Sequence, residues 1–461
     1  MPYKRAPLHR RPRVFIGPVE IAGYYGNLTR GLRDLGYDCD FFTYSSHAFG
    51  YGGESRPPVL LKIAKWFNRR RSGTGRSFSM RILLAVPGES FSALWGLFAI
   101  FRYDVYIFGF GRSLLPANWD LPILRCLGKT VIGNIGHGSE ARPPFIDGIY
   151  QSKEAAPIGL RELKGYIKRN KRRVLRWSAN THFVIGAPFS NSQFSSTRFI
   201  NFFALGIPFD GGFNTDDPKI NGGSATDFQM KEGEPKSKSV RILHSPSHPA
   251  AKGTPHILRA VDNLRLKGYS IELDVVEGRP FSEVLTAIAS CDLVVDQVFS
   301  DTPMAGFATE AAWFGKPSVV GGYGLDRLRR LIPQGMFPPS KTCHPEQIEL
   351  AIESLIRDRE LRSRLGKDAQ EFVKSKWSTR EVASRYAILI EGNIPPEWWV
   401  YPQDVVYLEG AGQSSERSKE VIRKLVHAYG EQALQISHRQ TLQRAFIDFA
   451  GLGNQKRPSN S

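Results

Sequence analysis

Short apolar runs alternate with amphipathic stretches along most of the chain. RVFIG at 13–17 leads into a loop holding Gly17, Gly23 and Gly26, then a helical stretch closed by Gly36 and a second apolar run. That order predicts a β-loop-α-β opening. The scheme returns with a helical stretch at 91–101, the runs YDVYIFGFG (103–111), LPILRCLG (121–128) and KTVIGNIGHG (129–138), and two short strands at THFVIGAP (181–188) and FFALGIP (202–208). Strands that are apolar throughout belong to parallel sheets covered on both faces.

A second series starts at VRILHS (240–245) and has clearer punctuation. In KGTPHILRAVDNLRLKG (252–268), Thr254 is placed to cap a helix, Pro255 suits its first position, and Gly268 stops it. SIELDVVEG (270–278), DLVVDQV (292–298) and KPSVVGG (316–322) read as strands, separated by helical FSEVLTAIASC (281–291) and FATEAAWFG (307–315). Repeated β-α units of this kind imply right-handed crossovers and a doubly wound sheet. Helices follow at 345–357 and 359–376 and after Trp377. The tail adds the aromatic patch PPEWWVYP and an amphipathic helix near 415–435, with Ile422, Leu425, Val426 and Tyr429 on one face. The division expected is a Rossmann-like domain at 1–210, a Gly-, Asp- and Lys-rich linker at 211–239, a second Rossmann-like domain at 240–392, and a partly helical extension at 393–461.

Composition narrows the class. With 461 residues, of which 41% are hydrophobic, the chain exceeds one core and excludes disorder throughout. The 4 cysteines lie far apart without a CxxC pair, so neither a disulfide framework nor a cysteine zinc site is expected. The basic N-terminus reaches no apolar run of signal-peptide length before Pro18 and Glu20, and the apolar stretch 91–108 is broken by Arg102 and Asp104. A soluble, cytoplasmic protein is the expectation. There is no GxGxxG, no GxxxxGK[ST] and no metal-ligand spacing, so hydride transfer, P-loop chemistry and a resident cofactor or metal are not expected.

In open α/β sheets, ligands bind beyond the carboxyl ends of strands, where helix N-termini attract anions. The candidate residues follow the strands, and they carry a resemblance. RILHSPSHPAAKGTPHILRAVDNL, IELDVVEGRPFSEVLTAIASCDLVVDQVF and GFATEAAWFGKPSVVGG resemble the donor domain of GT-B glycosyltransferases, nearest the retaining family-4-like group. VEIAGYYGNLTRGLRDLGY and GHGSEARPP in the first half resemble the same group, and together the likeness spans about 13–210 and 240–392.

The resemblance implies GT-B architecture, with two doubly wound domains facing across a cleft, and transfer of a sugar from a nucleoside diphosphate sugar to a glycan or lipid-linked acceptor. It implies that Glu310 holds the donor ribose through an ionised carboxylate. Lys252 is implied to neutralise the diphosphate, and His137 to face the reacting sugar. Gly23, Gly26, His248, Glu277, Asp296, Asp301, Gly306 and Phe307 are the implied donor-side contacts. Two positions depart from the family pattern: Thr302 stands where a first glutamate is usual, with Asp301 adjacent, and Pro246 stands where an arginine is frequent. The alternatives are a GT-B-fold sugar-nucleotide epimerase, which needs no acceptor, and a non-catalytic basic scaffold.

The net charge of +18 bears on partners. RELKGYIKRNKRRVLRW (161–177) holds eight basic residues against one acidic and carries an apolar stripe of Leu160, Leu163, Ile167 and Val174. VLLKIAKWFNRRR (59–71) sets Leu60, Ile63 and Phe67 against Lys62 and Lys65. Such helices either lie on anionic membrane surfaces or turn the stripe into a core. Peripheral contact with the inner face of the plasma membrane is the expectation, and nucleic acid is not, since no DNA- or RNA-binding module is legible.

Overall fold

Strand burial separates the chain into two sheets. The computed structural model describes residues 11–44, 54–71, 77–150, 158–211 and 239–453, so nearly all of the expected linker at 211–239 lies outside the described residues. The first sheet contains β1 (Arg13–Gly17), β2 (Asp38–Phe41), β3 (Val105–Gly109), β4 (Thr130–Asn134), β5 (Phe183–Gly186) and β6 (Phe199–Asn201), all parallel. The second contains β7 (Val240–His244), β8 (Ile271–Val275), β9 (Leu293–Gln297), β10 (Ser318–Gly321) and β11 (Lys341–Cys343), also parallel. A last strand, β12 (Trp399–Val400), returns to the first sheet and pairs antiparallel with β6. The orders are β12-β6-β5-β4-β3-β1-β2 and β11-β10-β9-β7-β8. Every residue of β3, β4, β5, β9 and β10 is buried, as continuous apolar strands between helical layers require.

The expected GT-B class is therefore the observed one: two doubly wound domains face each other, with a helical C-terminal extension. In each sheet the winding reverses, beside β1 and β3 in the first and beside β7 and β9 in the second. These reversals open crevices at the carboxyl ends of the strands.

Three of the contacts between the halves involve a helix pair, an ion pair and the tail. The Thr379–Glu391 helix, within the span read as the second domain, packs on the first-domain Tyr24–Asp34 helix, where the Tyr24 and Tyr386 hydroxyls lie 3.1 Å apart. Gly31 permits this approach, because a Cβ there would sit 2.5 Å from the Thr379 carbonyl oxygen. Gly31→Ala should therefore destabilise the protein by about 1–3 kcal/mol in urea unfolding, the usual range for overpacking. An unchanged midpoint would show that the two helices separate freely. The second contact is a buried ion pair from Arg142 to Asp301. The third is the tail: the Gly148 amide donates to the Ala411 carbonyl at 2.8 Å, and the Gly412 amide donates to the Phe299 carbonyl at 2.8 Å. Residues 411–412 thus touch both domains.

Several expectations shift locally. The strand placed at 202–208 lies at Phe199–Asn201, and Phe202–Leu205 is a helical turn capped by the Asn201 side chain. LPILRCLG is the short Asp120–Cys126 helix. Thr254 is the first helical residue and Gly253, at φ 77°, the cap; the Thr254 hydroxyl instead meets His244 Nε2 at 2.8 Å. The helix expected at 91–101 runs from Phe78 to Arg102. In the Leu160–Asn180 helix, Leu163, Ile167, Val174 and Trp177 are buried, so its apolar stripe belongs to the core and is closed to a membrane.

Candidate functional site

The second crevice gathers the residues with the most chemistry. Asp296 and Gln297 end β9, where the chain must leave the sheet, and Lys252 ends the short Pro249–Lys252 helix after β7. Lys252 Nζ donates to Gln297 Oε1 at 3.0 Å and lies 3.6 Å from Asp296 Oδ1. Asp296 is 2% exposed, so the ammonium is its main compensation.

Glu310 sits one turn into the Gly306–Trp313 helix and is buried. Among the described residues it has no hydrogen-bond partner. Burial, with the Asp296 charge adding to it, pushes its pKa up to about 8. At neutral pH the free protein thus carries a protonated carboxyl, which offers one donor as well as an acceptor. The resemblance implied an ionised group; in the unliganded fold the proton stays on because nothing nearby stabilises the charge.

The same helix points its N-terminus at the first domain. The amides of Gly306, Phe307 and Ala308 have no hydrogen-bond acceptor among the described residues. A Cβ placed on Gly306 would lie 3.7 Å from the Ala22 methyl, which belongs to the first strand-helix loop. The two crevices therefore meet at Ala22 and Gly306.

On the first-domain side, sequence reasoning missed Glu20. Its carboxylate accepts from the amides of Ile21 (2.7 Å), Tyr25 (3.1 Å) and Gly26 (2.8 Å), so the helix start offered to a donor phosphate is held internally. Burial outweighs these bonds and raises Glu20 to about 7. Gly23, at φ 76°, shapes the turn, and Gly26 serves Glu20. A carboxylate three to six residues ahead of a helix start is the sequence signal that could have found it.

His137 lies behind this loop, with Nε2 2.9 Å from the Tyr25 hydroxyl and ring edges of Tyr24 and Phe202 around it. Burial lowers its pKa to about 4, so the imidazole is neutral at physiological pH. Its partners among the described residues are first-domain groups, including Glu140, which accepts from the His137 amide at 2.8 Å.

His248 and Glu277 are exposed. Asp301 is committed to a buried cluster: Oδ2 accepts from Arg142 Nη2 at 2.6 Å, Arg142 Nε at 2.9 Å and the Ser190 hydroxyl at 2.7 Å. Asp147 binds the other side of the same guanidinium at 3.0 Å. Asp301 therefore joins domains here and is not open to a ligand. Thr302 bonds locally, its hydroxyl donating to the Met304 carbonyl. Among the described residues no group of three or more His, Cys, Asp or Glu is placed to hold a metal ion.

No protein-family model matches the chain, and no curated protein is similar to it in sequence. Solved structures resemble it in layout. The Anabaena protein HepE, crystallised in complex with UDP and glucose, is 13% identical, covers 83% of this chain and 99% of its own, and superposes with a TM-score of 0.49. A putative UDP-N-acetylglucosamine 2-epimerase from Listeria monocytogenes is 9% identical, covers 83% and 97%, and scores 0.43. The spinosyn forosaminyltransferase SpnP is 11% identical, covers 83% and 100%, and scores 0.40.

Proposed function

We propose that the protein is a glycosyltransferase that moves a sugar from a nucleoside diphosphate sugar to a glycan or lipid-linked acceptor, with retention at the anomeric carbon. The observation that carries the reading is a buried, unpartnered Glu310 close to Asp296, the acid that Lys252 pairs with, on a helix whose free N-terminal amides lie where the two domains meet.

Each group has a role in that reading. The Glu310 carboxyl donates to one ribose hydroxyl and accepts from the other. Lys252 and the Gly306–Ala308 amides receive the diphosphate, whose charge grows as the sugar departs. Asp296 and Gln297 hold the lysine in place. His137, kept neutral, belongs to the first-domain wall of the site and adds no second cation there. Closely apposed domains exclude water that would otherwise hydrolyse the donor.

The test is a melting-temperature panel of uridine, guanosine, thymidine and adenosine diphosphate sugars. One donor class should stabilise the wild type, by about 2.7 kcal/mol at a hundredfold excess over Kd. Lys252→Ala should lose most of that gain while keeping its unliganded melting point within a few degrees. If no donor stabilises the wild type, or Lys252→Ala responds equally, the reading is wrong.

A further inference from the structure

The Phe78–Arg102 helix is apolar on both faces, although only one is covered. It is the one helix among the described residues long and apolar enough to cross a membrane, and 28% of its most apolar window is buried. Trp95, Ala99 and Ile100 face the core. On the opposite side Leu83, Val86, Phe98 and Phe101 are between 62% and 74% exposed, and Leu94 and Leu97 continue the same stripe. A helix hydrophobic all round belongs inside a protein or against lipid, and no described element covers this face.

The neighbouring Val59–Arg71 helix supplies charge. Lys62, Trp66, Arg69 and Arg70 are exposed at helical spacing, with the Arg70 guanidinium 4.0 Å above the Trp66 ring. Among the described residues the hairpin's ion pairs are Lys65 with Glu54, Arg71 with Glu89 and Arg102 with Asp40. Lys62, Arg69, Arg70 and Arg81 pair with no carboxylate among the described residues.

We infer that this hairpin docks the protein on an anionic lipid bilayer, the Leu83–Phe101 stripe entering the headgroup boundary and the free cations meeting lipid phosphates. The helix does not span, because its inner face is locked in the core and the chain runs directly into β3. Interfacial helices bury such a face about 5–10 Å deep. Charge selects lipid over a second copy of the chain, since a symmetric pair would set these uncompensated cations against each other. A cavity of about 230 Å³, lined by Pro18, Tyr44, Glu89, Ser92, Arg112 and Asn118, opens beneath the hairpin at the carboxyl ends of β1, β2 and β3. On the transferase reading proposed above, docking brings this acceptor-side cavity to the bilayer and favours a lipid-linked acceptor.

Vesicle flotation of the full chain without donor tests the inference independently of transfer. At low salt the wild type should float with phosphatidylglycerol-containing vesicles and far less with phosphatidylcholine alone, and raised salt should weaken the binding. Leu83→Ser/Phe98→Ser/Phe101→Ser should lose at least tenfold. Lys62→Glu/Arg69→Glu/Arg70→Glu should lose the salt-sensitive part. Both sets change exposed side chains, so melting temperatures should match the wild type and exclude misfolding as the cause. The inference is overturned if the wild type stays at the bottom of the gradient, if the serine variant floats undiminished, or if the lipid-free wild type is a dimer that the serine variant converts to monomer.

Discussion

Glu310→Gln should make the free protein more stable at pH 8 and leave it nearly unchanged at pH 5, while removing the donor-induced rise in melting temperature. The carboxyl holds its proton up to about pH 8 in the fold, against 4.5 for the ordinary group. Between those values the native state binds more protons than the unfolded state, so stability falls as pH rises through the window. A shift of this size amounts to a few kcal/mol once pH passes 8. Glutamine has no proton to lose and loses that slope. Glu20 and Glu140, each raised to about 7 by burial, keep a residual decline in the variant. Urea unfolding from pH 5 to pH 9 reads the difference. Parallel pH profiles for the two proteins would mean that Glu310 is solvated and ionised, and the site assignment would fall with its burial.

Loss of the Arg142 guanidinium should cost more than loss of either of its partners. Arg142 is held between Asp301 and Asp147, all three buried, and these carboxylates raise its pKa further despite burial. Arg142→Ala leaves two buried acids without a cation, a change that costs about 3–5 kcal/mol. Asp301→Ala still leaves Asp147 on the arginine and should cost less. Because the pair joins the domains, Arg142→Ala is also expected to split urea unfolding into two transitions, followed by tryptophan fluorescence. Equal and small effects of both substitutions would show that the remaining contacts, among them the tail and the Thr379–Glu391 helix, hold the domains without the ion pair.

Legibility in the sequence followed the range of the forces involved. Strands such as VYIFG and LVVDQ were readable because burial on both faces demands unbroken apolar runs, and the Gly253-Thr254-Pro255 punctuation marked a helix start to within one residue. FFAL was misplaced as strand because an aromatic run suits both states, and the Asn201 cap decided for a turn of helix. The two basic helices looked alike. Packing turned the Leu160–Asn180 stripe inward, whereas the Phe78–Arg102 helix beside Val59–Arg71 kept an outer apolar face that no local pattern distinguishes from core.

Periodicity and turn residues alone determined two doubly wound sheets, their helical layers and the crevices where chemistry belongs, since these depend on neighbours within a few positions. Only the tertiary structure decided which candidates meet. It set Asp296 beside Lys252 and Glu310 and gave Asp301 to Arg142. It also closed the first helix start with Glu20 and left Glu310 protonated. Those outcomes depend on desolvation and on charges contributed by remote segments, and neither exists until the two halves are packed together.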